Sequence, residues 1–380
     1  MITDTCYCRA IHCPRYGLTG ANARLTFRDW HDRAPRFRCA RCGTLISARV
    51  GTAYVGIRSD ENTYRSAATS LAEGLSIRAT ARLLSLDKDT VCGWLPRLGE
   101  HCNQVMRYFF RNLHLNECQL DELWTFIYKK EEHLRPLDEL LGVYGDTWVW
   151  IAFSPVCKVV PAWVVGKRTL PNARKLIFRL KSATDGHIPF FTSDELPHYA
   201  DALLEGYGVW QTPPRRFPRG RPPLPRKYPP PDLCYAVVVK ERERGRVVNV
   251  TTRIVDGSDE QIIAALQASP VSSAINTYGV ERNNLTIRQH SRRMGRKVNA
   301  FSKDRTYLQD QLTLAFAYYH FVVPHRGLRQ RLPQPIPTKG PRASYKKWKP
   351  VTPAMAAGLT EHVWSMDELL SFRVPPPELW

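Results

Sequence analysis

The spacing of cysteines near the start of the chain is the sequence feature that most constrains its fold. Five of the ten cysteines lie within the first 42 residues, and four of them form two close pairs, Cys8 with Cys13 and Cys39 with Cys42. Two such pairs can supply four thiolates to one tetrahedral Zn²⁺. The short alternating runs between the pairs suit a β-hairpin. The pattern therefore predicts a zinc ribbon over residues 1–55, with one structural Zn²⁺ held by these four cysteines.

The first cysteine pair leaves alternatives open. Its spacing is wider than that of a usual knuckle, and Cys6 and His12 are close enough in sequence to compete as ligands. Buried free thiols in a reducing cytoplasm are the other interpretation. Basic residues surround the second pair and favour contact between the ribbon and DNA, through Arg33, Arg36, Arg38 and Arg41.

The chain is strongly basic. Its 380 residues include 55 Lys and Arg against 35 Asp and Glu, a formal net charge of +20. A surplus of this size indicates a polyanionic partner, for which nucleic acid is the first candidate. A hydrophobic content of 43% excludes a disordered chain. The first residues lack a signal-peptide pattern, and no apolar run reaches the ~18 residues of a membrane span. We therefore expect a cytoplasmic DNA-binding protein with no membrane partner.

A helix-turn-helix is predicted within residues 56–112. Its first helix should cover 76–84 and its second should begin after Asp87, which is a good N-cap residue. Pro96 is expected to end the second helix early, because proline cannot donate the backbone hydrogen bond of a helix interior. Lys88 and Arg97 are the candidate DNA contacts. An ordinary helical hairpin is the alternative interpretation.

The middle of the chain predicts an α/β layer fold with a mixed central sheet. Strands are indicated at 119–128, 147–153, 159–165 and 188–194, and helices at 170–183 and 195–207. Three antiparallel strands followed by helix, strand and helix suit such a sheet.

Three separated carboxylates are the candidate catalytic residues. Asp121 and Asp194 lie on predicted strands, and Glu281 lies in the first turn of a long basic helix. Clustered carboxylates repel one another unless cations neutralise them, and Mg²⁺ prefers such oxygen ligands. Two ions ~4 Å apart can then promote phosphodiester displacement. For each acid alone, a solvated surface residue is the alternative. Glu122 should point away from the ions, because successive strand residues face opposite sides.

Three sequence segments resemble bacterial insertion-sequence-one-type transposases. The segment NTYGVERNNLTIRQHSRRMGRK at 276–297, followed by FSK at 301–303, is similar to the helix that carries their third acid. QLDELW at 119–124 resembles their first-acid strand. TSDELPHY at 192–199 resembles their second, an Asp followed at a short distance by Tyr. The similarity, including the order of ribbon, helix-turn-helix and acids, extends from Cys8 to about residue 325.

The resemblance implies a DDE transposase whose ribonuclease-H-like core covers residues 113–330. It makes Asp121, Asp194 and Glu281 ligands of two Mg²⁺ (or Mn²⁺) ions that cut an element's end and join the freed 3′-hydroxyl to target DNA. The implied partners are double-stranded DNA, as terminal inverted repeats and target, and further copies of the chain on DNA at the bacterial nucleoid. Asn284 and Arg288 share a helical face with Glu281 and are candidate supporting or phosphate-contacting groups. The same basic segment provides candidate DNA contacts at Arg292, Arg293, Arg296 and Lys297.

The remaining segments are interpreted as additions to that core. Residues 208–272 form a predicted insertion, with a proline-rich basic tract at 213–231 and a hairpin turning near Gly245. The tract suits either a DNA-tracking segment or a solvated linker. An apolar helix at 307–323 should pack in the core. Residues 331–380 are interpreted as a basic tail with a short amphipathic helix and a potential dimer contact.

Two rival functions share parts of this pattern. A sequence-specific DNA-binding regulator, derived from a transposase that lost catalysis, would keep the ribbon, the helix pair and the charge. A two-metal nuclease without strand transfer would keep the acids. The intact acid triad argues against the first, and the N-terminal DNA-binding modules argue against the second.

Overall fold

The protein is a mixed α/β structure that begins with a small antiparallel sheet. The structure is a computed structural model and describes residues 5–31, 33–214, 223–295, 297–338 and 344–376. After a helical turn, α1 (Gly20–Ala23), come strands β1 (Leu25–His31), β2 (Ala34–Cys39) and β3 (Leu45–Ser47). They pair in the order β1-β2-β3. The hairpin expected between the cysteine pairs is therefore present.

Three helices follow, and local capping sets where each begins. They are α2 (Glu61–Ala72), α3 (Ile77–Leu83) and α4 (Lys88–Phe109). The side chains of Asp60, Ser76 and Asp87 each accept a hydrogen bond from a backbone N–H of the first turn. Helix α3 packs on α4, as predicted for the helix pair.

The expectation that Pro96 ends α4 is wrong. The helix continues through Pro96 to Phe109, a total of 22 residues. Proline removes one backbone hydrogen bond, but α4 buries a continuous apolar face that includes Leu95, Leu98 and Val105. Burial of each such side chain contributes about 1.5–3 kcal/mol, which outweighs the single lost bond.

A six-stranded mixed sheet forms the centre of the molecule. Its strands lie in the order β11-β10-β7-β4-β5-β6. Strand β7 is parallel to both β4 and β10, and the other neighbouring pairs are antiparallel. In chain order the elements are β4 (Glu117–Ile127), α5 (Pro136–Leu141), β5 (Gly145–Phe153), β6 (Ala162–Gly166), α6 (Leu170–Ala183), β7 (Phe190–Asp194), α7 (Pro197–Tyr207), β8 (Val209–Gln211), β9 (Arg226–Tyr228), β10 (Tyr235–Glu243), β11 (Arg246–Asp256), α8 (Asp259–Ala268), α9 (Tyr278–His290) and α10 (Arg305–Phe321).

The segment interpreted as an insertion contributes two strands to this sheet. The hairpin turns at Gly245, as predicted, but β10 pairs directly with β7, so the hairpin extends the central sheet. Within the proline-rich tract, Arg226–Tyr228 pairs with Val209–Gln211. Its remaining cations Arg215, Arg216, Arg219 and Arg221 lie outside the described residues.

The C-terminal segment packs back onto the rest of the chain. Helix α10 is almost wholly buried, as expected. It is followed by β12 (Gln330–Pro337), β13 (Tyr345–Lys349), α11 (Pro353–Ala356) and α12 (Met366–Ser371). The apolar face interpreted as a potential dimer contact instead packs within the same chain, because α12 contacts α2, α4 and α10. Tyr7 donates a hydrogen bond to the Val374 carbonyl at 3.0 Å, which ties the chain's two ends together. Within the described ranges, no helix has the length and apolar character needed to cross a bilayer.

Candidate metal centres

Four cysteines come together at the N-terminal sheet. One sulfur from each of Cys8, Cys13, Cys39 and Cys42 lies within 4.8 Å of the others. The Cys8–Cys42 and Cys13–Cys39 sulfur distances are 3.5 Å and 3.9 Å. A tetrahedral site with Zn–S bonds of about 2.3 Å needs sulfur atoms about 3.8 Å apart. The four residues predicted as zinc ligands therefore fit a metal such as zinc.

The surroundings of the cysteine cluster favour the thiolate form of one ligand, Cys42. Cys42 lies 3.1 Å from the Thr44 hydroxyl, which together with the Thr44 backbone lowers the pKa of Cys42 to about 6. Burial raises the pKa of Cys8 to about 12, so metal binding must displace protons there. The competing candidates lie elsewhere: Cys6 packs with Phe37 and Ala48, and His12 is exposed and outside the cluster.

Asp121 and Asp194 are neighbours because of the strand register. Strand β4 pairs with β7 in parallel up to Leu120 opposite Ser193, so the next residue on each strand is one of the two acids. Strand β7 ends at Asp194, whereas β4 continues to Ile127, so the acids lie where the parallel pairing stops. Carboxylate oxygens of Asp121, Glu122 and Asp194 all lie within 4.8 Å of one another. We call these three residues the acid cluster.

The expectation that Glu122 points away is wrong. Pairing between β4 and β7 stops at Leu120, so no residue of β7 pairs with Glu122 and its long side chain can lie toward Asp194. This side chain is only 3% exposed. Although β4 continues and Glu122 still pairs with Trp150 of β5, the edge of β4 that faced β7 is free beside Glu122. Alternation sets the face on which a Cβ atom lies, and a long side chain beside such a free edge can still bring its carboxylate next to Asp194. The signal available in the sequence was a second acid directly beside the first.

Helix α9 brings Glu281 to the same cavity. Gln119 accepts a hydrogen bond from Val280 N and donates one to the Asn276 carbonyl, and Thr192 donates to that same carbonyl. These bonds hold the start of α9 against β4 and β7. A cavity of about 650 Å³ is lined by the acid cluster and Glu281. All three predicted catalytic acids therefore face one cavity, although Glu281 is not within the tightest group.

Cations that the sequence interpretation missed flank these acids. Lys240 of β10 forms an ion pair with Glu281, which also accepts a hydrogen bond from Thr277 at 2.9 Å. Arg168, in the loop before α6, lies 3.6 Å from Glu122 and 3.9 Å from Asp194. The sequence interpretation placed Lys240 in an insertion outside the core. Lys240 lies beside Glu281 because β10 pairs with β7.

The acid cluster is electrostatically strained without a cation. Burial, with the nearby charge of Asp194, raises the pKa of Asp121 to about 6. Burial and the same charge raise the pKa of Glu122 to about 8, although Arg168 opposes this. Burial also raises the pKa of Asp194. Three carboxyls with raised pKa values in one cleft are typical of a functional site.

Unsatisfied oxygen atoms show that the cluster fits a hard cation. Glu122 Oε1 and Asp194 Oδ1 are buried and have no hydrogen-bond partner among the described residues. Buried polar atoms rarely remain unpaired, and carboxylate oxygens are the ligands of Mg²⁺ and Mn²⁺. The donor set at this cavity is therefore compatible with Mg²⁺.

The two supporting residues predicted on α9 both line the cavity. Asn284 donates a hydrogen bond to Asp121, which fixes that carboxylate. Arg288 donates to the Met294 carbonyl at 2.6 Å, so its guanidinium also holds the turn after α9.

The predicted DNA contacts differ in availability. Arg36 forms a bidentate ion pair with Asp29. Arg97 is exposed but donates to the Val55 carbonyl. Arg293 is half-buried and donates a hydrogen bond to the Ser302 hydroxyl at 3.4 Å. Arg296 lies outside the described residues. The other candidates, Arg38, Arg41, Lys88, Arg292 and Lys297, are exposed.

Comparison of the sequence with models of known protein families gave no match. A search of curated proteins likewise gave no significant match. The functional interpretation therefore rests on the two clusters and their surroundings.

Proposed function

We propose that the protein is a DNA transposase of an insertion sequence, with a Mg²⁺-dependent active site at the acid cluster and Glu281. The observation that carries this proposal is the set of unsatisfied carboxylate oxygens where β7 ends beside β4 and their parallel pairing stops. The excess of basic residues supports a DNA substrate. The four clustered cysteines suit a structural zinc ribbon at the N-terminus.

The sheet supports a ribonuclease-H-like core. Strands β4, β5 and β6 are antiparallel, β7 is added in parallel beside β4, and a helix carries the last acid across the sheet. The order of three antiparallel strands followed by a parallel one agrees with the sequence expectation, whereas β10 and β11 were not expected in the sheet. The packed pair α3 and α4 supports a helix-turn-helix.

Each residue of the site has a role in the proposed reaction. Asp121, Asp194 and Glu281, with Glu122 beside them, would hold two divalent cations. When bound, these cations supply charge neutralisation to the attacking and leaving oxygens of the phosphodiester. Asn284 orients Asp121, and Gln119 fixes the helix that carries Glu281. Lys240 and Arg168 are placed to contact phosphate oxygens once the carboxylates are otherwise neutralised.

The reaction then needs no covalent intermediate with the protein. A water oxygen attacks the phosphorus at the element's end, the bond to the 3′ oxygen breaks, and that oxygen leaves as a 3′-hydroxyl. The freed hydroxyl attacks a target phosphodiester in the same way. Fixed positions of the reacting oxygens provide much of the rate.

A cleavage assay tests this function. The substrate is a duplex that carries the inverted repeats bracketing the gene, with Mg²⁺ present. We expect Asp121→Asn, Asp194→Asn and Glu281→Gln each to lower cleavage at least about a thousandfold while end binding persists. Asp201→Asn on the exposed face of α7 is the matched control and should cleave normally.

The products separate the rival functions. Cleavage without joining to target DNA would indicate the nuclease, and binding without cleavage by the wild-type protein would indicate the regulator. Full strand transfer by Asp194→Asn would contradict the assignment of the acid cluster.

A further inference from the structure

A second cavity lies away from the acids, between the helix pair and the segment after α9. It has a volume of about 1050 Å³. One wall is formed by the start of α3 and the start of α4, and the other by residues 292–293, 297–301 and 303–304. We propose that this groove, which we call the basic groove, seats the phosphodiester backbone of DNA that runs from the acid cluster.

The charge of the basic groove suits that ligand. Two acids, Asp89 and Asp304, also line it. Lys88 forms an ion pair with Asp89, whereas the other exposed cations of the two walls form no ion pair within the described ranges. The six basic residues that line the groove are Arg78, Lys88, Arg292, Arg293, Lys297 and Lys303. An unpaired surplus of positive charge in a concave surface attracts phosphate groups.

The segments that lead into the two walls, the end of α2 and the end of α9, are held together by close contacts. A Cβ atom at Gly74, whose φ is +89°, would lie 2.3 Å from the Gln289 carbonyl oxygen, so only glycine permits this approach. His290 bonds the Ala72 carbonyl at 3.1 Å, and Gln311 donates to the Leu71 carbonyl at 2.9 Å. The groove is therefore a built feature of the fold.

This packing changes the expected role of α4. A recognition helix must protrude to enter a major groove. Here α4 packs its apolar face in the core, and its exposed first turn faces residues 297–304 across the basic groove. The geometry therefore points to contact with a DNA backbone at Lys88.

Helix α9 links the basic groove to the acids. Glu281 and Arg288 line the acid cavity, and Arg292, in the turn that follows the end of α9 at His290, lines the groove. The helix rises ~1.5 Å per residue, so its stretch from Glu281 to His290 spans roughly 14 Å. One DNA strand advances ~3.4 Å per nucleotide, which predicts backbone contacts about four nucleotides or more from the reacting phosphate.

Charge reversal tests the basic groove. Fluorescence anisotropy of the full-length protein with a labelled 30-base-pair duplex, and with the matching single strand, gives Kd as a function of NaCl concentration. We expect Lys297→Glu and Lys303→Glu each to weaken binding roughly tenfold and to reduce the salt slope by about one. Lys175→Glu on α6 carries the same charge change at an exposed site outside the groove and should shift Kd less than about twofold. The probe that loses more affinity identifies the DNA form seated there.

The proposed role of the basic groove rests on the proposed DNA chemistry, and the results of the binding and cleavage assays distinguish the failure of one from the failure of the other. Weakened binding by both groove variants, with thermal unfolding unchanged, supports the groove even if the wild-type protein cleaves nothing. If Lys297→Glu and Lys303→Glu bind both probes with the same Kd as Lys175→Glu, the proposed DNA-binding role of the basic groove is wrong. Cleavage of element ends would still support the proposed transposase activity in that case.

Discussion

The cysteine cluster and the acid cluster show two ways of building a site for a cation. The cysteines lie on a three-stranded sheet with two small clusters of buried residues, one of Ile46 with Cys8, Cys13 and Cys39 and one of Cys6, Phe37 and Ala48. The acid cluster lies beside the end of β7 in the six-stranded sheet, above an extensive apolar core. We therefore expect the first region to depend on a bound metal for its folding, and the second to fold without one while it holds its carboxylates buried and close together. Metal removal should therefore unfold the N-terminal sheet, whereas at the acid cluster it should stop the chemistry and leave the fold intact.

Removal of zinc should have the largest effect on stability. Structural Zn²⁺ contributes roughly 10 kcal/mol in small domains, and the apolar clusters of the N-terminal sheet are small. We expect chelation, or Cys39→Ser, to abolish amide protection over residues 5–50 in hydrogen exchange. The six-stranded sheet should stay protected. Cys234→Ser, outside the cluster, is the control. If the N-terminal sheet kept its amide protection after complete loss of zinc, its folding would not depend on the metal, and the two regions would not differ in that respect.

The sequence predicted local features of both regions well. The four cysteines were found from spacing alone, and the caps Ser76 and Asp87 start their helices as expected, because capping depends on neighbouring residues. Long-range pairing was not predictable. Lys240 reaches Glu281 only because β10 pairs with β7, and no local pattern encodes that register.

Removal of one carboxylate should stabilise the metal-free acid cluster. The folded pKa of Glu122, about 8, lies above its unfolded value, so metal-free protein loses stability as pH rises from about 4.5 to about 8. We expect Glu122→Gln to match wild type near pH 5 and to be more stable by roughly 3 kcal/mol at pH 8, measured by urea unfolding. Added Mg²⁺ should reduce this difference in unfolding free energy between the variant and wild type. If the difference in unfolding free energy between Glu122→Gln and wild type did not change with pH, the ionised Glu122 carboxylate would not be destabilised by burial and the charge of Asp194.

A smaller effect is expected where Lys240 neutralises Glu281. The ammonium competes with a divalent cation for the same carboxylate, so Lys240→Met should tighten Mn²⁺ binding by about three- to tenfold in calorimetry. Cleavage should nevertheless fall, because a phosphate contact is lost. Lys175→Met is the matched control. Unchanged Mn²⁺ affinity in Lys240→Met would mean that the ion pair does not compete with the metal.

Metal stoichiometry tests the acid cluster most directly. We expect calorimetric titration of zinc-loaded protein with Mn²⁺ at pH 8 to give about two ions per chain, the number that phosphodiester displacement requires. Asp121→Asn and Asp194→Asn should each lose this binding and keep their zinc, while Asp201→Asn should titrate like wild type. Absence of Mn²⁺ binding by the wild-type protein, or equal binding by Asp194→Asn, would contradict a catalytic metal centre at the acid cluster.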